Sequence, residues 1–406
     1  MSRLNELIKQ YCPDGVEYKK LGEICLKVCS GGTPSRGNSD YFTGDIPWLR
    51  TQEVDWKDIY DTEIKITEDA VKNSSAKLIP ENCVIIAMYG ATAGKVGINK
   101  IPLTTNQACC NLQINPQKAL YKYVYYWVCN EYEHLKSLGQ GSQNNINAQI
   151  IKEYPIPVPP LPVQEEIVRI LDNFAELQAE LQAELQKRLQ QYNYYRDNLL
   201  SFEGRTDVEW ISIDQLFLRR NGYTPSKSNV EFWTNGTIPW FRMEDIRENG
   251  RILTNSIQKI HPSAVKKNAL FKSGSIIVAT SATIGEHALV LVDCLANQRF
   301  TCLTVKDEHK NKVDNMFLFY YMFKVDEWCK THTVQGNFPG VDMSQFPSVL
   351  IPLPSIEEQK RIATILDRFN TLTTDITAGL PAEIEARRKQ YEYYRDQLLT
   401  FKQKAS

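Results

Sequence analysis

The chain repeats itself once along its length, and this duplication restricts its fold more than any other feature. The segment QYNYYRDNLLSF at residues 191–202 returns as QYEYYRDQLLTF at residues 390–401. The segment IPVPPLPVQEEIVRILDNF at residues 156–174 returns as IPLPSIEEQKRIATILDRF at residues 351–369. Because the copies keep the same order, we expect two copies of one unit, each with a globular segment followed by a helical segment.

Shorter motifs inside the two globular segments also occur twice and in the same order. The first segment contains GGTPS, IPWLR, GATAG and TNQ, and the second contains NGYTPS, IPWFR, SATIG and ANQ. The runs CVIIAM and SIIVAT are rich in β-branched residues and predict strands. Residues 119–139 and 315–332 have the apolar spacing of helices. We therefore predict that both globular segments are mixed α/β.

Long amphipathic helices are predicted after each proline-rich segment, because apolar residues recur there at steps of three and four. The sequence GLP at residues 379–381 interrupts the second helix and predicts a kink. An antiparallel pair of these helices would bury both apolar seams and place the globular units at opposite ends. The seam residues that we select are Leu177, Leu181, Leu185, Tyr192, Leu199, Ile376, Tyr391 and Leu398.

The first helical segment contains the four-residue sequence AELQ three times in succession, at residues 175–186. Ala, Glu, Leu and Gln are strong helix formers, so each copy lengthens a straight rod. One copy adds about 6 Å along the axis and about 40° beyond a full turn. We hypothesise that the number of copies sets a distance between the globular units. The alternative is a solvated helix that expanded without consequence.

Composition excludes few functions. The 47 basic and 48 acidic side chains give a net charge of −1, so no global positive field indicates nucleic acid, although a local basic patch would be enough. We see no signal-peptide core and no apolar run of membrane-spanning length, and we expect a cytoplasmic protein without membrane contact. The ten scattered cysteines and five unclustered histidines predict free thiols and no metal site.

Motifs for catalysis are weak. The sequence GATAGKV at residues 90–96 resembles a phosphate-binding loop, but it has one residue too few between its glycines and no Ser or Thr after Lys95. Neither a nucleophile elbow nor an HExxH motif is present in the sequence. We therefore predict that the chain is not an enzyme by itself.

Taken in order, the duplicated motifs resemble those of the specificity (S) subunit of type I restriction–modification enzymes. The resemblance covers nearly the whole chain and rests on IPxP followed by Q and LD, on YYRDxLL, and on TPS, IPW and NQ in both units, with the AELQ repeat between them. It implies two target-recognition domains that are separated by a pair of long antiparallel coiled-coil helices. The expected domains are residues 1–155 (first target-recognition domain with an N-terminal helical stub), 156–203 (central helix), 204–350 (second target-recognition domain) and 351–406 (C-terminal helix).

The resemblance also implies the partners. Each recognition domain would read one half of an asymmetric, bipartite site in double-stranded DNA, because the loops differ between the units. The helices would dock two methyltransferase subunits, and restriction/translocase subunits would complete an endonuclease and adenine-N6 methyltransferase complex. The chain itself would bind no cofactor, since S-adenosylmethionine, ATP and magnesium belong to those partners. The alternatives are a coiled-coil scaffold that binds only protein, and a fused nuclease or methyltransferase, which would need several hundred further residues.

The candidate DNA contacts are polar side chains of glycine-containing loops, because these can reach base edges and phosphates. Arg50 and Arg242 occupy equivalent positions after aromatic residues and would either clamp phosphate or stack on tryptophan as structural residues. For Gln107 and Gln298 we favour a turn-stabilising role over base reading. The candidates are Thr33, Ser35, Arg36, Arg50, Lys95, Gln143 and Asn144 in the first unit, and Thr224, Ser226, Lys227, Arg242, Gln335 and Asn337 in the second.

Overall fold

The computed structural model describes residues 2–139, 145–266, 270–335, 339–374 and 379–404. It divides into unit 1 (Met1–Gln182 and Glu383–Ser406) and unit 2 (Ala183–Ala382). The predicted residues Gln143, Asn144, Asn337 and Ile376 lie outside the described residues.

The strands of unit 1 form a larger sheet, a smaller sheet and a two-stranded ribbon. The larger sheet has the order β2-β9-β6-β7-β4, the smaller one has the order β5-β3-β8, and β1 pairs with β10. Neighbours are antiparallel except for β4–β7 and β3–β8, which are parallel. The strands are β1 (Tyr18–Lys20), β2 (Cys25–Ser30), β3 (Ile46–Leu49), β4 (Asp58–Ile59), β5 (Lys65–Ile66), β6 (Val84–Ala87), β7 (Val96–Asn99), β8 (Thr104–Thr105), β9 (Cys109–Ile114) and β10 (Pro155–Pro157).

Unit 2 repeats these sheets in the same strand order and adds a two-stranded ribbon, β20–β21. Its larger sheet has the order β12-β19-β16-β17-β14, its smaller sheet has the order β15-β13-β18, and β11 pairs with β22. The parallel pairs β14–β17 and β13–β18 fall at the equivalent places. The strands are β11 (Glu209–Ser212), β12 (Phe217–Asn221), β13 (Ile238–Phe241), β14 (Ile252–Leu253), β15 (Lys259–Ile260), β16 (Ser275–Ala279), β17 (His287–Val290), β18 (Leu295–Ala296), β19 (Phe300–Val305), β20 (Thr333–Val334), β21 (Gly340–Val341) and β22 (Leu350–Leu353).

Each larger sheet is buried on both faces, which explains why its central strand is almost entirely apolar. In β16, Ile276 and Val278 pack into one hydrophobic cluster, while Ile277 and Ala279 pack into another on the opposite face. Strand β6 divides its residues between two clusters in the same alternating way. The runs CVIIAM and SIIVAT therefore contain strands, as predicted, and the structure places these strands at the centre of their sheets.

The helices differ greatly in length. The helix predicted at residues 119–139 consists of two shorter helices, and α6 is one continuous helix of 39 residues. The helices are α1 (Ser2–Tyr11), α2 (Glu68–Lys72), α3 (Tyr121–Asn130), α4 (Tyr132–Ser137), α5 (Ala148–Glu153), α6 (Leu161–Leu199), α7 (Ile213–Leu216), α8 (Met243–Asn249), α9 (Asn315–Thr331), α10 (Ile356–Thr374) and α11 (Leu380–Leu399).

The GLP sequence marks a helix start. Helix α11 begins at Leu380, so Pro381 lies in its first turn, where a missing N–H breaks no helical hydrogen bond. The second helical segment is thus described as α10 and α11, and residues 375–378 between them lie outside the described residues, so the kink stays a prediction.

A buried glutamine fixes the start of each long helical segment to the globular part of its unit. Gln164 is fully buried, and its Oε1 accepts a hydrogen bond from the N–H of Leu120 at 2.9 Å, while its Nε2 donates to the carbonyl of Pro159 at 2.7 Å. In unit 2, Gln359 accepts from the N–H of Asp314 at 2.9 Å and donates to a proline carbonyl at 2.8 Å. The glutamine of the IPxP motif is therefore a structural anchor in both units.

The helical seams are also equivalent. In unit 1, the rings of Phe174 and Tyr394 stack with centroids 5.6 Å apart, and in unit 2 Phe369 stacks on Tyr195 at 5.4 Å. Tyr192 and Leu398 are buried, and the partly buried seam residues are Leu177, Leu181, Leu185, Leu199 and Tyr391. The predicted fold class, mixed α/β with two pseudo-repeated globular units and long helices, is confirmed.

Candidate nucleic-acid interface

A threonine–glutamine hydrogen bond joins two loops in each unit. We call residues 33–35 and 224–226 the TPS loops, and residues 106–107 and 297–298 the NQ turns. The Thr33 hydroxyl donates to Oε1 of Gln107, and the Thr224 hydroxyl donates to Oε1 of Gln298. Each glutamine therefore has a partner within the protein, and each TPS loop is held against its NQ turn.

Tryptophan and glycine complete this junction. The indole N–H of Trp48 donates to the carbonyl of Gly32 at 2.9 Å, and that of Trp240 donates to the carbonyl of Tyr223 at 3.1 Å. A Cβ atom on Gly31 would lie 2.0 Å from a backbone carbonyl oxygen, and one on Gly222 would lie 2.2 Å from another. The two backbone segments approach each other so closely in each unit that only glycine fits at these two positions.

A carboxylate fixes the backbone beside each candidate arginine. Glu53 accepts hydrogen bonds from the backbone N–H of Arg50 at 3.2 Å and from the N–H of residue 63 at 2.9 Å. Asp245 accepts from the N–H of Arg242 and from the N–H of residue 257, both at 2.7 Å. The two arginine side chains therefore project from backbone positions that are held in the same way, so the surroundings of their guanidinium groups can be compared directly.

The side chains of these arginines differ in their surroundings. The Arg50 guanidinium forms ion pairs with Glu53 at 3.4 Å and with Glu63. The Arg242 guanidinium lies over the ring of Trp240, 5.6 Å from its centroid, with the Glu244 carboxylate 3.9 Å away. Arg242 thus has one distant carboxylate partner, Glu244, whereas two carboxylates compensate Arg50, so the charge of Arg242 is the less compensated of the two.

Three candidate residues of unit 2 line one open cleft of about 610 Å³. Thr224, Lys227 and Arg242 contribute to its wall, and Ser226 is adjacent, since its carbonyl accepts the indole N–H of Trp233 at 3.0 Å. The cleft also contains Arg299, which is exposed. We call it the unit 2 cleft, and its main lining residues are Thr224, Lys227, Trp233, Trp240, Arg242 and Arg299.

The candidates of unit 1 have different surroundings. Ser35 and Arg36 are exposed in the loop that follows Thr33, and the described residues provide no ion pair for Arg36. Lys95 forms an ion pair of 2.6 Å with Asp55, so its charge is compensated. These residues stay predictions as DNA contacts, and Arg36 has the less compensated charge.

Gln335 is exposed at the end of β20, which pairs with β21. The segment that leads into β21 is tied to the turn after β16, because the N–H of Ala282 donates to the carbonyl of Pro339 at 3.2 Å.

Ala282 has a φ of 66°, a left-handed conformation that side chains disfavour. In unit 1, Gly90 adopts a φ of 78° in the corresponding turn, and its N–H donates to the side chain of Asn145 at 3.4 Å.

Sequence reasoning missed Arg299 and Trp233. Arg299 follows the NQ turn of unit 2, where unit 1 has Ala108. The alignment of TNQ with ANQ contains this difference, but it gains meaning only when the turn is found in the unit 2 cleft. Trp233 lies edge-on to Trp240, with ring centroids 4.9 Å apart.

In the described ranges, no cluster of three or more His, Cys, Asp and Glu side chains is arranged to hold a metal ion. Nor does any helix in these ranges combine the length and apolar character needed to cross a membrane.

A family model described as "Type I restriction modification DNA specificity domain" matches this chain twice, at residues 13–191 and 206–386. The type I restriction enzyme EcoprrI specificity subunit of Escherichia coli is 54% identical over 204 residues, which cover 48% of this chain and 51% of that protein. The EcoR124I/EcoR124II specificity subunit of the same organism is 39% identical over 297 residues, which cover 70% of this chain and 72% of that protein.

Solved structures show a similar fold. A chain from a study titled "Structural basis underlying complex assembly and conformational transition of the type I R-M system" has a TM-score of 0.65 at 17% identity, covering 95% of this chain and 98% of that one. The HsdS subunit from Thermoanaerobacter tengcongensis has a TM-score of 0.52 at 17% identity, covering 96% and 97%.

Proposed function

The chain belongs to the type I restriction modification DNA specificity domain family, and we propose that it is the specificity subunit of a type I restriction–modification system. Each unit would carry one target-recognition domain that reads one half of a split site in double-stranded DNA. The observation that carries this proposal is the family match that occurs twice, once over each unit's globular part. The duplicated contacts of the TPS loops and NQ turns support it, because they hold equivalent loops in equivalent places.

The target would be asymmetric. The two units share the contacts that hold their loops, but they differ in the charges that the loops present, as Arg50 and Arg242 illustrate. Base edges in the major groove are distinguished by the donors and acceptors of individual side chains. Units that present different side chains would therefore read different half-sites.

We further propose that helix α6 sets the length of the unread spacer between the half-sites. The AELQ repeat lies inside this continuous helix, its leucines are partly buried, and its alanines are exposed. One copy of AELQ corresponds to about 6 Å of helix, which is about two base-pair rises of DNA.

Deletion of residues 183–186 tests the spacer proposal. We expect the methylated site to keep both half-sites and to lose one or two base pairs of spacer. Glu180→Gln is the matched control, because it changes an exposed residue of the repeat without changing its length. An unchanged spacer in the deletion variant would contradict this role of the repeat.

The helices would dock two methyltransferase subunits, and restriction/translocase subunits would complete the complex. Tyr194 on α6 and Tyr393 on α11 occupy equivalent positions of the repeated motif and are 65% and 59% exposed. Exposed aromatic side chains are common anchors of protein interfaces. Two equivalent anchors support two copies of the same partner, so Tyr194→Ala and Tyr393→Ala should each reduce the methyltransferase content of the complex from two to one. Native mass spectrometry would measure this content.

The chain would be non-catalytic and would act in the cytoplasm with its DNA. S-adenosylmethionine, ATP and magnesium would be bound by the partner subunits, and this assignment rests on the family alone.

Methylation mapping tests the main proposal. The chain would be produced with its methyltransferase partner in a host that lacks other methylation, and modified adenines would be mapped across the genome. We expect one split motif with two different half-sites. Methylation without a motif, or DNA binding that ignores sequence, would favour the protein-only scaffold and contradict the proposal.

A further inference from the structure

The two NQ turns have the same backbone but differ in the residue that follows. Asn106 donates its N–H to the carbonyl of residue 49 at 2.9 Å and accepts from the N–H of Ala108 at 3.2 Å. Asn297 donates to the carbonyl of residue 241 at 3.0 Å and accepts from the N–H of Arg299 at 3.0 Å. Arg299 thus stands on a backbone that is repeated in unit 1, where Ala108 is only 8% exposed.

The backbone that carries Arg299 is held from several sides. Its carbonyl accepts a hydrogen bond from the N–H of Thr280 at 2.9 Å, and the next residue, Phe300, donates to the carbonyl of Asn297 at 3.2 Å. The neighbouring Gln298 side chain is bonded to Thr224. A side chain on such a fixed turn is aimed before any ligand binds, and such placement favours specific over non-specific contact.

The Arg299 side chain is also available. It is exposed, and the described residues offer it no carboxylate within ion-pair distance. Lys227 and Arg242 share the unit 2 cleft with it, and the acidic lining residue Glu244 lies beside Arg242 at 3.9 Å. The cleft therefore attracts anions, and DNA supplies them in its phosphates.

Four positions of these loops can be compared between the units, namely the TPS threonine, the basic residue after the TPS loop, the arginine of IPWLR or IPWFR and the residue after the NQ turn, and of these four only the last differs in chemical type. The TPS threonine, the basic residue that follows the TPS loop and the arginine after IPW are of the same kind in both units, so they are suited to contacts that any DNA sequence offers. A side chain that is present in unit 2 and missing in unit 1 can give the half-sites different sequences. The equivalent pairs are Thr33 with Thr224, Arg36 with Lys227, Arg50 with Arg242, and Ala108 with Arg299.

We propose that Arg299 is a specificity-determining residue that reads a guanine in the half-site recognised by unit 2. Guanine presents two acceptors, N7 and O6, in the major groove, and the planar guanidinium donates to both at once. Lys227 and Arg242 would hold neighbouring phosphates, which fixes the register of Arg299 on the base pairs. This inference rests on the proposed function, since it assigns one base of the split site to one side chain.

The test compares Arg299→Ala and Arg299→Lys with the unchanged chain, each assembled with the methyltransferase partner. Modified adenines would be mapped on a plasmid library in which both half-sites are randomised. We expect both variants to accept other bases at one guanine position of one half-site. The preference for guanine there should fall by about 10- to 100-fold in Arg299→Ala and by less in Arg299→Lys, while the other half-site and the spacer stay unchanged.

The lysine variant separates base reading from phosphate binding. Lysine keeps the positive charge but replaces the planar, paired donors with a flexible ammonium group, so base reading predicts a weakened preference for guanine, whereas a phosphate contact predicts none; an unchanged motif in both Arg299→Lys and Arg299→Ala would overturn the proposal. Uniform weakening on all sequences in Arg299→Ala, with a salt dependence reduced by about one charge, would overturn it in the same way. Lys227→Ala gives the scale of such a uniform loss.

Three further outcomes are decisive. If Arg299→Ala no longer copurifies with the methyltransferase, the side chain contacts protein and the proposal fails. If the unchanged chain directs methylation to a split motif and both variants keep that motif, only this inference fails. If the unchanged chain directs no split motif, the proposed function fails first. Because the Arg299 side chain is exposed, thermal unfolding of both variants should match that of the unchanged chain.

Discussion

Units 1 and 2 share the strand order of their main sheets and the hydrogen bond between the TPS loop and the NQ turn, yet one interior site differs completely. In unit 1, Val96 of β7 pairs with the central strand, and nearby Trp56 packs edge-on against Tyr132, with centroids 4.8 Å apart. In unit 2, His287 holds the strand position of Val96, and its Nδ1 lies 2.6 Å from Oδ2 of Asp326. The duplication has kept backbone geometry while the interior chemistry diverged.

The polar site of unit 2, unlike its apolar counterpart in unit 1, consists of side chains that need one another as partners. His287 is fully buried, Asp326 is 3% exposed, and the Arg251 guanidinium lies 3.5 Å from the same carboxylate. A buried ionic group is tolerated when its partners are present and is costly when one of them is removed. Unit 2 should therefore respond to single substitutions at this site more strongly than unit 1 does.

Asp326→Ala should have the largest effect. Arg251 and His287 would lose the carboxylate that they share, and we expect unit 2 to be destabilised by about 3–5 kcal/mol. Hydrogen exchange measured by mass spectrometry would show this as lost protection in β16 and β17, with β6 and β7 of unit 1 as the internal reference. Tyr132→Phe, the control in unit 1, should change protection by less than about 0.5 kcal/mol. Equal losses in both units would contradict the comparison.

Gly222→Ala should follow, at about 3 kcal/mol, because the new Cβ would lie 2.2 Å from the carbonyl oxygen of Asn297. Gly31→Ala should cost the same in unit 1, where the corresponding distance to the Thr105 oxygen is 2.0 Å. Gly37→Ala is the control without a steric clash, since the nearest atom to its added Cβ, Oγ of Ser35, lies 3.7 Å away. Urea unfolding would measure the free energy of unfolding of all three variants. If only one of Gly222→Ala and Gly31→Ala were destabilised, the close contacts beside the TPS loops would not be equivalent in the two units.

These shared features are the part of the molecule that sequence could predict. The duplicated motifs gave the two units, the central strands and the long helices, because repetition and hydrophobic period are local signals. The threonine–glutamine bonds join residues 74 positions apart, and no local pattern pairs them. The environments of Arg50 and Arg242 depend likewise on Glu63 and Trp240, which are placed by the fold.

Arg299 also shows the limit of prediction from sequence, although it is a single residue and not a long-range contact. Its position was visible when TNQ was aligned with ANQ, but a lone arginine after a turn does not predict a binding residue. Its importance comes from the cleft, whose walls are brought together from four separate segments of unit 2. The scaffold could be predicted because its motifs occur twice in the sequence. The side chains that distinguish the units occur in only one copy, so no repetition marks them.

Smaller effects are expected where the helical segments join the globular parts. The Tyr126 hydroxyl donates to Asp172 at 2.7 Å, and the Tyr320 hydroxyl donates to Asp367 at 2.6 Å. Asp172 also pairs with Lys122 at 2.7 Å, so it keeps a partner when the tyrosine is changed. We expect Tyr320→Phe to cost about 2 kcal/mol and Tyr126→Phe about 1 kcal/mol in urea unfolding. The reverse order would contradict this reading of the junctions.

The same tyrosines predict sensitivity to alkali. Burial, with the adjacent carboxylate, raises the pKa of Tyr126 and of Tyr320 well above the ordinary value. The unfolded chain ionises its tyrosines at a pH of about 10, whereas the folded chain keeps these two neutral. Their contribution to stability is therefore complete below about pH 10 and is lost as the pH rises further. Urea unfolding at pH 8 and pH 10.5 should show a smaller loss for the double Phe variant than for the unchanged chain.

The smallest effects should come from the turns after the central strands, and here the units should respond in opposite directions. Ala282 has a φ of 66° and Gly90 a φ of 78°, so both turns need a left-handed residue, but only unit 1 has glycine there. Ala282→Gly should relieve strain and stabilise unit 2 by up to about 1 kcal/mol, while Gly90→Ala should destabilise unit 1 by about the same amount. Nothing lies within 4 Å of a Cβ added to Gly90, so the second change measures backbone strain without a clash. Thermal unfolding should therefore move upward for one variant and downward for the other. Two shifts of the same sign would mean that the turns, unlike the strands that lead into them, are not equivalent.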